Sequence, residues 1–365
     1  MAEDDLNQPL HGKAPKSGGK TRPFISTGLI SLTALLILLA GVWIAVVDDP
    51  LGGQPVAVAA IQDPAPAITG SLGTKPSAPK ATSTPGSIQV AGLPILPPPL
   101  SAAAPPADMI EQSAFGPLPR ISPDGLKPMD AYRGEPRVPP AAGKPRIVLV
   151  ISGLGLSQTG TQDAINMLPD DVTLAFAPYG SSLQRWVDKA RQKGHEVLLQ
   201  VPMEPENYPD TNPGEHTLLA STDPAGADSD LDWVLGRMTS YTGVMNYMGG
   251  RFTSDHDALG NFLVGLNQRG LFYLDDGSSP DSLAKQVGGE VGTPVIAADA
   301  IIDLDHDPDK IEHALAKLEV IARTEGLAVG VATAFPSSVA ALAAWVPQAA
   351  ARGLAVVPAS AALQR

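Results

Sequence analysis

Two adjacent carboxylates, Asp275 and Asp276, follow the apolar run "LFYL" and precede "GSS". Side chains alternate in direction along a strand. Of two consecutive acids at a strand end, one can therefore face an open mouth while the other packs sideways. An acid so placed can take a proton, orient water or bind sugar hydroxyls. The same residues also suit a turn in which Asp276 accepts from the backbone of "DGSS". Asp275 and Asp276 are the candidate catalytic pair, with the turn reading open beside it. Two further segments end apolar runs in polar groups. "LLQVPMEP" presents Gln200 and Glu204, and "NYMGGRF" presents Asn246, Tyr247 and Arg251. Amides, a carboxylate, a phenol and a guanidinium form a hydrogen-bonding surface suited to a hydroxyl-rich ligand. These five are the candidate substrate-binding residues.

Chemistry of this kind needs a frame that brings strand ends together. From Arg146 onward apolar runs alternate with amphipathic segments. The predicted strands are 147–151, 172–177, 196–201, 243–247, 271–274, 294–297, 327–331 and 354–357. Between most of them lie helical patterns such as "SLQRWVDKARQKG" and "DKIEHALAKLEVIARTEG". Gly194, Gly270, Gly326 and Gly353 each close such a pattern, as helix C-caps do. Alternating β and α units imply a parallel sheet covered by helices. Eight strand candidates favour an α/β fold of the (β/α) barrel type, whose function gathers at the carboxyl ends of the strands.

Other chemistries are weaker. "ISGLGLSQTG" follows the first strand with Gly153 and Gly155. The dinucleotide fingerprint wants a third glycine where Gln158 stands, and an acid after the second strand that "AFAPYG" lacks. A tight strand-to-helix turn with Ser157 as N-cap is the expectation. "DLDHDPD" spaces Asp303, Asp305 and Asp307 like a calcium loop. Pro308 and Ala314 stand where that loop needs Gly and Glu, so an acidic helix N-terminus is expected. His11, His195, His216, His256, His306 and His313 avoid the strand ends and read as surface or capping residues. With no cysteine in the chain, thiolate metal sites and disulfides are excluded. No metal and no cofactor are expected. The 38 acidic and 25 basic residues give a net charge of −13, against a nucleic-acid surface.

Several segments together resemble the divergent polysaccharide deacetylase family. They are "VISGLG", "LAFAPYG", "GHEVLLQVPMEP", "TGVMNYMGGRFT", "LFYLDDGSS", "GLAVGVATAFP" and "GLAVVPASA", in the family's order across 146–365. The resemblance implies a barrel like that of carbohydrate esterases, an envelope location and glycan chemistry. In metal-dependent relatives the first strand ends in an Asp-Asp pair, where this chain has Ser152 and Gly153. The metal-binding histidine of the third strand is Gln200 here, and that of the "N-H-M-G" segment is Tyr247. The resemblance thus implies a variant without the usual ligands, because neutral amide and phenol groups do not replace a carboxylate and two imidazoles on zinc. The expected function is glycan binding in carbohydrate metabolism. The alternatives are a metal-independent hydrolase using Asp275 or Asp276, with Arg251 on an oxyanion, and a structural envelope scaffold.

The first 145 residues are organised differently. Residues 1–23 are polar, with Lys13, Lys16, Lys20 and Arg22. Residues 24–47, "FISTGLISLTALLILLAGVWIAVV", carry no charge, and roughly 20 such residues cross a bilayer. Basic residues before the span predict a cytoplasmic tail, an uncleaved anchor in the inner membrane, with a cleaved signal peptide as the alternative, and a periplasmic C-terminal domain. Residues 48–145 are rich in Pro and Ala and read as a disordered, semi-stiff tether. The expected partners are an envelope polysaccharide or oligosaccharide and the inner membrane, with no nucleic acid.

Overall fold

The computed structural model describes residues 105–137, 143–221 and 224–363. The tail, the anchor expected at 24–47 and the first part of the tether lie outside the described residues. Among the described residues no helix is long and apolar enough to cross a membrane.

Nine strands form one parallel sheet: β3 (Arg146–Leu154), β4 (Thr173–Phe176), β5 (Val197–Met203), β6 (Gly243–Met248), β7 (Phe272–Asp275), β8 (Val295–Ala297), β9 (Ala300–Ile301), β10 (Leu327–Thr333) and β11 (Ala355–Val357). The order is β8-β7-β6-β5-β4-β3-β10-β9, with β11 beside the first half of β3. β8 and β9 stand at opposite ends of this order, yet only Ala298 and Asp299 separate them. Ala298 N donates to Asp275 O at 2.9 Å and Asp299 N to Val329 O at 2.8 Å. One stretch of chain thus pairs with β7 and then with β10. The sheet curls on itself, consistent with a (β/α) barrel. All eight strands expected from the sequence are present, and β9 is additional.

The alternation of side chains divides the core in two. On β3, Ile147, Leu149 and Ile151 pack outward beneath the helices, while Val148 and Val150 point inward. Ala175, Leu198, Met245, Leu274, Val329 and Val331 share the inner cluster. The helices that cover the outside follow local signals. α2 (Gln158–Met167) has Ser157 as N-cap, its side chain accepting from Gly160 N at 3.1 Å. α8 (Pro308–Glu325) is capped by Asp307, as the acidic N-terminus predicts, with Pro308 in its first turn.

The tether prediction needs correction at its end. Residues 107–131 hold a 3₁₀ turn (Ala107–Met109), an antiparallel hairpin of β1 (Ile110–Ser113) and β2 (Gly116–Pro119), and a one-turn helix α1 (Pro128–Ala131). The prolines stand where they are tolerated, in a two-stranded hairpin and at a helix start. The segment is fixed by scattered apolar anchors without periodicity: Met109, Leu118, Met129 and Tyr132 are all buried. Met129 joins the inner cluster together with Ala359 of the C-terminal 3₁₀ turn (Ala359–Leu363). The two chain segments plug the barrel at the amino ends of its strands.

Glu196 clasps both plugs. It is fully buried and accepts from Gly134 N at 2.6 Å, Ser360 N at 2.9 Å and Ser360 Oγ. Burial pushes its carboxyl above the usual range, against the pull of these donors and of Arg191. His195, expected at the surface or as a cap, is instead a core residue. Its ring nitrogens face Val172 O at 2.9 Å and Ile165 O at 3.3 Å, and burial lowers its basicity.

Candidate functional site

A cleft of about 1090 Å³ opens at the carboxyl ends of the strands. The period of two decides which polar residues reach it. The inward set on β3 continues from Val148 and Val150 to Ser152. On β5 it continues from Leu198 to Gln200 and Pro202, on β6 from Met245 to Tyr247, and beyond β7 from Leu274 to Asp276. On β10 it continues from Val331 to Thr333, and past β9 from Ile301 to Asp303. All of these end residues line the cleft. Three of the sequence-predicted site residues, Gln200, Tyr247 and Asp276, are therefore brought together.

The other four do not line it, and their bonds show what they hold instead. Asn246, one step out of phase with Tyr247, bridges two loops. Its Nδ2 donates to Met248 O at 2.8 Å and its Oδ1 accepts from Asp276 N at 2.8 Å. Asp275 is 3% exposed and turned away from the cleft. One oxygen accepts from Gly277 N at 2.9 Å and the other from Ser282 Oγ. Glu204 lies past the end of β5. Its oxygens meet Arg251 Nε at 3.1 Å and Ala220 N at 2.7 Å. Arg251 N and Phe252 N both donate to Glu204 O at 3.1 Å. This pair fastens the loop after β6 to that after β5.

Asp276 has both of the roles its sequence allows. It lines the cleft, and its Oδ1 accepts from Ser278 N at 2.9 Å. Burial pushes its carboxyl above the usual range, partly offset by hydrogen bonds with Ser278 and Asn246, and the neighbouring charge of Asp275 adds to the rise. Asp303 belongs to the site and was not among the predicted site residues. Its Oδ2 accepts from Thr333 N and Ser338 Oγ, each at 2.7 Å, so it ties the end of β10 to the start of α9 (Pro336–Ala351). The signal for it was the inward phase of "AIID", hidden because β9 is only two residues long. Around the mouth the rings of Tyr179, Tyr247 and Phe335 are exposed on the cleft wall.

The resemblance raises the question of a divalent metal. Ser152 Oγ donates to Ala332 O at 3.1 Å, and Gln200 Oε1 accepts from Gly153 N at 2.7 Å. The Ser152 and Gln200 side-chain oxygens thus already serve the strand ends. Among the described residues no group of three or more His, Cys, Asp or Glu comes together to hold an ion. The donor set does not fit zinc, which wants imidazole, thiolate and carboxylate groups converging in a tetrahedron. After equilibration with zinc and dialysis, the purified protein is expected to retain far less than one equivalent by atomic absorption. Equimolar retention would overturn that expectation.

The model of the divergent polysaccharide deacetylase family matches residues 149–363. The crystal structure of the uncharacterized protein ATU2773 from Agrobacterium tumefaciens C58 superposes with a TM-score of 0.65 and 45% identity, over 68% of this chain and 99% of that one. The uncharacterized protein YibQ of Escherichia coli K12 is 22% identical over 204 residues, 56% of this chain and 62% of YibQ. An uncharacterized protein of Haemophilus influenzae is 21% identical over 199 residues, 54% of this chain and 70% of that one. The chain thus spans less than two thirds of the length of YibQ. With the strand-end segments in the family's order and the model covering the whole barrel, the chain belongs to the divergent polysaccharide deacetylase family.

Proposed function

We propose that this protein binds an envelope polysaccharide in its strand-end cleft without the metal-dependent deacetylation of its relatives. The observation that carries the reading is the pairing of two features in one place. The cleft has room for a saccharide segment and displays Tyr179, Tyr247 and Phe335 for stacking on sugar rings. The positions that would hold a metal carry Ser152, Gly153, Gln200 and Tyr247. Without a metal there is no activated water of the usual kind. Residues 24–47 and the Pro/Ala-rich tether would hold the domain at the outer face of the inner membrane, in reach of the periplasmic polysaccharide.

Titration calorimetry with envelope oligosaccharides tests the reading. Tyr247→Ala and Phe335→Ala are each expected to weaken binding about tenfold, the loss of one stacked ring. No binding by the wild-type protein to any saccharide offered would sink the proposal. Asp276 favours a second reading, a metal-free hydrolase, because it is a partly desolvated carboxyl on the cleft wall. Release of acetate that disappears in Asp276→Asn would establish it in place of the first.

A further inference from the structure

The cleft is lined by five carboxylates, Asp163, Glu206, Asp276, Asp281 and Asp303, and by no Lys, Arg or His. The nearby cations are engaged elsewhere. Arg251 pairs with Glu204, and Arg237 donates to Pro178 O at 2.9 Å and covers Trp233. An anionic saccharide, uronic or phosphorylated, would enter against this field with no counter-charge to meet it. A neutral one would offer these carboxylates hydroxyl donors but no counter-charge.

The deepest acid is Asp303, only 4% exposed. Its Oδ2 carries both of its bonds, to Thr333 N and Ser338 Oγ. Its Oδ1 has no partner among the described residues and is not sealed in the protein, so it borders the cleft. An acceptor at the cleft surface without a protein partner is open to a donor on a ligand. Across the barrel, Gln200 is 3% exposed and its Oε1 is taken by Gly153 N. Its amide nitrogen likewise has no partner among the described residues and is not sealed. The cleft thus offers one carboxylate acceptor and one neutral amide donor. A carboxylate acceptor suits an ammonium group, and an amide donor suits a hydroxyl oxygen.

We infer that the cleft selects a saccharide bearing a free, protonated amine, such as a de-N-acetylated hexosamine unit, with Asp303 as the counter-ion of the amine and the Gln200 amide on a hydroxyl. The inference rests on the saccharide-binding reading above and names the charge of its ligand. An N-acetylated unit has no ammonium to give Asp303, and its methyl-bearing amide adds bulk at the same point. The product of a deacetylation, rather than its substrate, is the species this cleft accepts.

Calorimetry on the full-length protein at pH 5.5 compares three probes: a glucosamine hexamer, its fully N-acetylated counterpart, and hexalysine as a bare polycation. The glucosamine hexamer is expected to bind at least tenfold more tightly than the acetylated one. Raising the pH to 8.5, where the amine is largely neutral, is expected to remove most of that preference. Asp303→Asn is expected to weaken the glucosamine hexamer at least tenfold while leaving any residual affinity for the acetylated one within threefold. Folding of this variant is checked by its thermal transition. Should it fail to fold, the wild-type preference and its loss at pH 8.5 still decide the matter. Equal or tighter binding of the acetylated hexamer overturns the amine inference and leaves saccharide binding standing. Failure of both hexamers overturns saccharide binding as well. Hexalysine binding as tightly as the glucosamine hexamer also overturns the inference, since charge alone would then explain the affinity.

Discussion

Replacement of Glu196 by alanine is expected to lower the unfolding free energy by about 3–5 kcal/mol, the cost of removing one partner from a buried charged network. The carboxylate takes three donors: the backbone of Gly134, and the backbone and hydroxyl of Ser360. With alanine, two backbone N–H groups lose their acceptor in a site closed to water, at roughly 1–3 kcal/mol for each orphaned group. The charge of Arg191 loses the carboxylate that faces it. The consequence reaches beyond stability, because Glu196 joins the segment before β3 to the segment after β11. Both plugs of the barrel floor should loosen together. Denaturant unfolding would measure the first effect. Hydrogen exchange would measure the second, as faster exchange at 128–134 and 359–363. A variant within 1 kcal/mol of wild type, with unchanged exchange at both plugs, would refute the clasp.

Gly155→Ala is expected to cost about 2–5 kcal/mol and to disturb the cleft wall. Gly155 sits at φ +90°, where an L side chain costs roughly 1–2 kcal/mol. A Cβ there would stand 2.5 Å from Leu183 Cδ2, in a packed region where added bulk costs about 1–3 kcal/mol. Leu183 begins α3 (Leu183–Gln192) and is itself buried, so it has little room to yield. The strain would pass to the turn in which Gly155 N donates to Thr161 Oγ1 at 2.9 Å. Ser152 and Gly153 lie just before that turn, and a loss of ligand affinity should accompany the loss of stability. Gly289→Ala provides the contrast. It lies within α7 (Ala284–Val291) with open space where its Cβ would go. There alanine is expected to stabilise by roughly 0.5–1 kcal/mol. Thermal unfolding of the two variants would separate them, and an effect of similar size in both would discredit the steric argument.

Much of the site was legible before the fold. Of the residues singled out at strand ends, Gln200, Tyr247 and Asp276 reach the cleft. The choice between neighbours was not written in the chain, because continuous apolar runs such as "RIVLVIS" mark no inner face. Once the fold turns Val148, Val150, Met245 and Leu274 inward, Ser152, Tyr247 and Asp276 must face in, and Asn246 and Asp275 out. The alternation is a local property of extended backbone, but its phase is set by the closed sheet. The replacements at Ser152, Gly153, Gln200 and Tyr247 were visible from residue identity alone.

Three further things were decided only in the tertiary structure. Asp303 lies in an acidic run whose local preference is for a helix N-terminus. Asp305 and Asp307 follow that preference, but Asp303 is drawn inward because the preceding residues pair with β10. The segment 107–131 has the composition of a tether, yet it is held by apolar anchors that find their partners far away in sequence. Glu204 and Arg251 looked like ligand contacts, and each found the other across two loops. That side chains alternate with a repeat of two residues can be read in a line of text, but not which of the two sets faces inward. Which distant segments close a ring, plug its floor or neutralise one another depends on contacts between residues far apart in the chain, and only the folded chain selects among them.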